Sequence, residues 1–214
     1  MNETDKRIIS SLILIPIAFF FIIKGSHYFI FFLSIISVIS FYEWYQMTIK
    51  KHFLIPGFIF IILSFYSAYL LRGDNEQNLI NFLVVIIICV STDIGGYFFG
   101  KLFKGPKLTK ISPNKTYAGF FGGFVLSIIT FIIFVNNLEI FGFSNYKRAS
   151  ISLDFLFAII LISLVSQLGD IFVSYFKRLV KIKNTGKLIP GHGGLLDRID
   201  GMIFAVPFAY LFLN

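Results

Sequence analysis

Polar residues are sparse along this chain and interrupt it at fairly regular distances. Between them run seven apolar stretches, at roughly 8–23, 27–45, 53–71, 79–100, 117–136, 152–173 and 197–213. Each is close to the roughly 20 residues that an α-helix needs to cross a hydrocarbon layer. None alternates apolar with polar residues as a membrane barrel strand would. The pattern therefore predicts an all-α fold, a polytopic transmembrane helical bundle of about seven spans. The first run begins almost at the N-terminus, but no small-residue cleavage site follows it. "KGSHYFIFF" leads straight into the second run, so the first reads as a retained helix. Residues 1–214 read as a single integral membrane domain, with N-terminal helices over 1–80 and a more polar region over 81–214.

Composition agrees with the pattern. The chain is 57% hydrophobic and 14% charged, with 29 Phe and a mean hydropathy of +0.83, which excludes an ordinary soluble domain. Cys89, the single cysteine, lies inside the fourth run, so neither a disulfide framework nor a cysteine metal site is available. A net charge of +8 invites a nucleic-acid partner, but the placement of the charge argues against one. With the N-terminus cytoplasmic, the connections at 1–7, 46–52, 101–116 and 174–198 are inside and hold fifteen of the nineteen basic residues. Only Lys24, Arg72, Lys147 and Arg148 fall elsewhere. The positive-inside bias sets the orientation and accounts for the basicity with no nucleic acid involved.

The acidic residues within the runs are more telling, because a charge in a span is costly and defaults to function. Asp93 lies toward the inner end of the fourth run, Asp170 toward that of the sixth, and Asp197 and Asp200 open the seventh. Four carboxylates from three spans thus meet at one depth, and none sits mid-span as an ion pathway would require. If the sixth helix continues past residue 173, Gln167, Asp170, Ser174, Lys177 and Arg178 form one polar stripe. Asp197 and Asp200, three apart, share a face. Asp93, Gly96 and Gly100 share another, where the glycines admit a close helix or ligand. Carboxylates beside lysines and arginines suit a divalent metal with a phosphate-bearing substrate, and Mg²⁺ fits best.

Blander readings stand beside these. Taken singly, Lys177 and Arg178 are snorkelling anchors. Glu43-Trp44, at the inner end of the second run, reads as an interfacial anchor. Lys115 in "ISPNKTYAGFFGG" is equally a phosphate ligand or part of an N-capped helix start with Ser112 and Asn114 as turn residues. His192 alone is an even choice between loop and site, though its glycine neighbours leave the backbone accessible to phosphate.

The stretch "SYFKRLVKIKNTGKLIPGHGGLLDRID", 174–200, resembles the signature of the phosphatidate cytidylyltransferases, the CDP-diacylglycerol synthases. "STDIGGYFFGK", "KISPNKT" and "SQLGD" are similar to that family too, so the likeness covers most of 91–201 and marks 81–214 as the catalytic region. Asn184 stands where the family usually has an acidic residue, and Tyr117-Ala118 where it has Trp-Glu. The chain is also shorter at its N-terminal end than many bacterial members. The resemblance implies transfer of CMP from CTP to phosphatidate at the cytoplasmic face of a bacterial inner membrane, with Mg²⁺ required and a second, monovalent cation left open. It implies Asp170 and Asp197 as primary metal ligands and Asp200 as a second ligand or an orienting group. Lys177, Arg178 and Arg198 would neutralise phosphate charge, and Ser174 would donate a hydrogen bond or ligate the metal. His192, Gly193 and Gly194 would line a phosphate-binding loop, with Asp93, Lys115 and Gln167 completing the substrate pocket. A homodimer is compatible with the pattern, as is an ether-linked lipid substrate. The alternatives are a CTP-dependent lipid kinase of the polyprenol or phytol type, and a non-catalytic transporter-like homologue.

Overall fold

The computed structural model describes residues 3–143, 153–189, 191 and 193–213. The chain forms α1 (Glu3–Lys24), α2 (Ser26–Thr48), α3 (Leu54–Arg72), α4 (Glu76–Phe103), α5 (Tyr117–Asn136), α6 (Leu153–Leu179), the single turn α7 (Leu196–Ile199) and α8 (Met202–Leu213). Among the described residues there is no strand, only two isolated bridges, Lys107 with Thr116 and Ile189 with Gly193. Helices α2 to α6 are each long and apolar enough to cross a membrane, while Ile8–Lys24 and Met202–Leu213 are shorter apolar helices. The chain is a polytopic helical membrane bundle.

The first six runs each become one helix, whereas the seventh does not run unbroken from 197 to 213. It divides at Asp200–Gly201 into α7 and α8. Asp200 turns its Oδ1 onto the Gly201 N–H at 3.0 Å, a local bond that competes with helix continuation. Gly201 itself lies against α6, where a Cβ would come 2.5 Å from Ser166 Oγ.

Helix α4 runs through the middle, packing on α3, α5, α6 and α8, while α1 lies outermost along α2. The α4–α5 crossing is made by glycines. A Cβ at Gly95 would come 2.6 Å from the Gly122 carbonyl, and one at Gly119 would collide with the Gly96 carbonyl. The small residues on α4 are therefore spent on helix packing, the usual way membrane helices approach closely. One apolar cluster, including Val85, Ile88, Ile162 and Ala205, fills the middle and the far half of the bundle. A second, around Trp44, Phe53, Val173 and Leu196, packs beneath the connections α2–α3 and α6–α7. At the opposite end Arg72 is buried and closes α1, donating from Nε to the Ile22 carbonyl at 2.8 Å and from Nη2 to that of Ile23 at 3.1 Å. These are last-turn carbonyls with no partner inside the helix.

Candidate active site

Helix α6 continues past residue 173 to Leu179 and carries a polar stripe on its inward face. Gln167, Ser174 and Lys177 are buried on it, with Asp170 between them. Lys177 does not snorkel. Its ammonium lies 2.9 Å from Asp197 Oδ1 and 3.5 Å from Asp200 Oδ2, all three side chains being at most 12% exposed. Arg178, about 100° further round the helix, does not join them. It is exposed, and Nη1 donates to the Ile182 carbonyl at 3.0 Å, closing the end of α6.

Asp170 faces the α4–α5 connection. Lys115 reaches it there with an N–O distance of 2.6 Å, both side chains about a quarter exposed. Ser174 donates to Asp170 Oδ1 at 3.3 Å. Lys115 also donates to the Gln167 carbonyl at 3.5 Å, and Gln167 Nε2 to the Phe120 carbonyl at 3.3 Å, so the stripe is tied to the start of α5. Thr116 is the N-cap of α5, its Oγ1 accepting from Gly119 N at 3.1 Å. Ser112 belongs to the turn before it, where its carbonyl accepts from Lys115 N at 3.0 Å. Lys115 is thus presented one residue before a capped helix.

Asp93 on α4 is exposed on this same end, and the charges of Asp170, Lys115 and Arg198 act on it. The Asp170 charge in turn acts on Lys177 and on Asp200. The four carboxylates expected to converge do so, interleaved with Lys115, Lys177 and Arg198.

Thr185 and Gly194 close around Asp197. Its Oδ2 accepts from Thr185 N at 2.8 Å and from Gly194 N at 3.1 Å. Ile189 and Gly193 exchange backbone hydrogen bonds of 2.9 and 3.1 Å, with Gly193 at φ 89°, a conformation that favours glycine. The N–H groups of Gly193 and Gly194 are therefore engaged within the loop. His192 lies outside the described residues.

Two participants escape sequence reasoning. Glu43, expected as an interfacial anchor, is 3% exposed. Its Oε1 accepts from Leu195 N, and its Oε2 from Leu196 N and Thr185 Oγ1, each at 2.8 Å. Trp44 is also buried, with Nε1 on the Leu54 carbonyl at 3.0 Å. The available signal was a carboxylate at the end of an apolar run, the same signal that marked Asp93 and Asp170. Thr185 carried none.

The expected metal trio divides. Asp197 and Asp200 share Lys177, while Asp170 pairs with Lys115. Among the described residues no three acidic, histidine or cysteine groups form a ready-made metal cage. The donor set nevertheless fits Mg²⁺, which takes one or two carboxylates and completes its shell with water and phosphate. Asp197 has three donors, Lys177 on Oδ1 and the Thr185 and Gly194 N–H groups on Oδ2, and Asp170 has two, Ser174 on Oδ1 and Lys115 on Oδ2, so Asp170 presents the less occupied carboxylate.

Such an arrangement, hard oxygen donors of α4, α6 and the turn α7 interleaved with cations, suits phosphate-bearing ligands at a membrane surface. It defines a polytopic membrane protein with a charged chemical centre at one end of its bundle. The chain belongs to the cytidylyltransferase family, which matches residues 5–71 and 50–214. It is 34% identical to the phosphatidate cytidylyltransferase of Rickettsia typhi over 203 residues, 94% of this chain and 88% of that one. The Rickettsia bellii phosphatidate cytidylyltransferase is 35% identical over 214 residues, 97% of this chain and 89% of its own. That of Brucella suis is 35% identical over 157 residues, 73% and 55% respectively.

Proposed function

We propose that this chain is a phosphatidate cytidylyltransferase, converting CTP and phosphatidate to CDP-diacylglycerol and pyrophosphate. The carrying observation is the charged centre itself. Asp170–Lys115 and Lys177–Asp197–Asp200 lie at one end of a bundle whose long helices expose many large apolar side chains. Phosphatidate presents its phosphate at the membrane surface and CTP arrives from water, so helix ends are where the two meet. The family and the names of its bacterial relatives support the same reading.

In this account the N-terminus and the centre face the cytoplasm of a bacterium, across its inner membrane. A phosphatidate oxygen attacks the α-phosphorus of CTP in line. The new P–O bond forms as the bond to the β-phosphate oxygen breaks, and pyrophosphate carries away the electron pair. The attacking oxygen is already anionic, so the chain need supply no general base, and catalysis is positioning with charge neutralisation. Lys115, Lys177 and Arg198 hold the phosphates of the two substrates. Asp170 and Asp197 would hold Mg²⁺, which when bound would neutralise phosphate charge and make the reacting phosphorus more electrophilic. Asp200 keeps Lys177 in place, Ser174 orients Asp170, and Asp93 completes the nucleotide side.

The test uses membranes containing the protein, phosphatidate, Mg²⁺ and CTP labelled in both cytosine and the γ-phosphate. Cytosine label is expected in the lipid and γ-label in pyrophosphate. Transfer of the γ-label to a lipid alcohol would instead establish a CTP-dependent kinase and overturn the proposal.

A further inference from the structure

Glu43 lies in the last turn but one of α2, outside the region that carries the charged centre, yet every hydrogen bond it accepts comes from that region. Its three donors are Thr185 Oγ1, Leu195 N and Leu196 N. The last two lie at the start of α7, the turn that bears Asp197. Thr185 joins Glu43 to Asp197 directly, giving its O–H to the first and its N–H to the second. Glu43 and Asp197 therefore grip one piece of backbone from two sides, and Asp197 Oδ1 is left pointing at Lys177. The fit is close. A Cβ at Gly186 would come 2.7 Å from Glu43 Oε1, and one at Gly194 2.6 Å from Oε2.

A carboxylate this deeply buried is costly unless its oxygens are satisfied. Here each oxygen has a donor, and all the donors belong to residues 185–196. Anchoring α2 to the rest of the bundle does not need a charge, since Trp44, Phe53 and Phe176 already pack there as apolar rings. We infer that Glu43 is a positioning residue for the reaction: it fixes the start of α7 so that Asp197 and Lys177 keep their alignment. Helix α2 is by this inference part of the active centre, acting through Asp197 and touching no substrate.

The kinetic arm of the test rests on the proposed CMP transfer; the exchange arm does not. Glu43→Gln keeps the shape but places an NH₂ where a carboxylate oxygen accepted. In the detergent-solubilised variant, amide hydrogen exchange over 185–200 is expected to quicken at least tenfold, with α4 and α5 unchanged. Turnover per folded protein is expected to fall at least tenfold, with the KM for CTP within threefold of the wild type. Glu43→Asp, which restores the charge on a shorter stem, is expected to lie between the two in both measurements. Thr185→Val, which removes one of the three donors, is expected to cost less than additively when combined with Glu43→Gln. Unchanged exchange over 185–200 overturns the inference, as does equal loosening of α4 and α5. So does turnover per folded protein within twofold of the wild type. If the wild type transfers no CMP, the proposed function fails while the exchange result still decides whether Glu43 positions α7.

Discussion

Replacing Lys177 with methionine removes one ammonium and little volume. It leaves Asp197 and Asp200 facing the gap without their shared cation, each side chain at most 12% exposed. Breaking a buried ion pair by deleting one partner typically costs about 3–5 kcal/mol, because the remaining charge is buried without compensation. Asp197 retains the Thr185 and Gly194 N–H groups, and Asp200 the Gly201 N–H, so the lower end of that range applies. For a chain of this size about 3 kcal/mol corresponds to a fall in Tm of about 6–12 °C. The assay is thermal unfolding of the purified protein in detergent, followed by loss of the monodisperse peak on size exclusion. Arg178→Met is the control one residue away. Arg178 is exposed and bonds only the Ile182 carbonyl among its described contacts, so its Tm should stay within about 2 °C of the wild type, as for an ordinary surface change. A Lys177→Met protein that melts within 2 °C of the wild type would refute the burial of Lys177 between two carboxylates. It would restore the reading of Lys177 as a snorkelling anchor.

Three further outcomes follow from the same geometry. Lys115→Met removes an ion pair whose side chains are about a quarter exposed, so stability should change by no more than about 1 kcal/mol. CMP transfer should fall at least a hundredfold; a variant as active as the wild type would remove Lys115 from the centre. Gly119→Val forces a side chain against the Gly96 carbonyl and should cost about 1–3 kcal/mol by overpacking, read as a lower Tm together with reduced transfer, since Asp93 stands on α4 and Lys115 just ahead of α5, the two displaced helices. Arg72→Met, which frees the Ile22 and Ile23 carbonyls at the far end, should lower Tm while leaving the KM for CTP unchanged.

Much of the centre was legible in the sequence because charge inside an apolar run is costly and therefore conspicuous. Asp93, Asp170, Asp197 and Asp200 stood out on that ground alone, and helical spacing placed Gln167, Asp170, Ser174 and Lys177 on one face of α6. Spacing could not separate Lys177 from Arg178. They are adjacent, and only the packing of α7 against α6 decides which one is buried. Hydropathy also passes over the break at Asp200–Gly201, since one glycine in an apolar run barely changes its average. The break goes with the Asp200 side chain taking the Gly201 N–H, where Gly201 lies against Ser166 of α6, a contact between elements remote in sequence. Glu43 was hidden for a similar reason. Its partners lie more than 140 residues away, and no local pattern connects a carboxylate at the end of α2 to the amides that begin α7. The glycines of 191–194 looked open to phosphate because glycine exposes backbone. In the fold, the N–H groups of Gly193 and Gly194 are taken by Ile189 and Asp197.

The central claim is that the carboxylates and cations at the ends of α4, α6 and α7 perform CMP transfer. The most direct measurement compares purified wild type with folded Asp197→Asn, scoring cytosine label delivered from CTP to phosphatidate in the presence of Mg²⁺. The account predicts one cytosine per lipid converted for the wild type, and at most about one hundredth of that rate for the variant, a loss of about 2.7 kcal/mol or more in transition-state stabilisation. An Asp197→Asn protein that retains most of the activity, or a folded wild type that delivers no cytosine to phosphatidate, would contradict it.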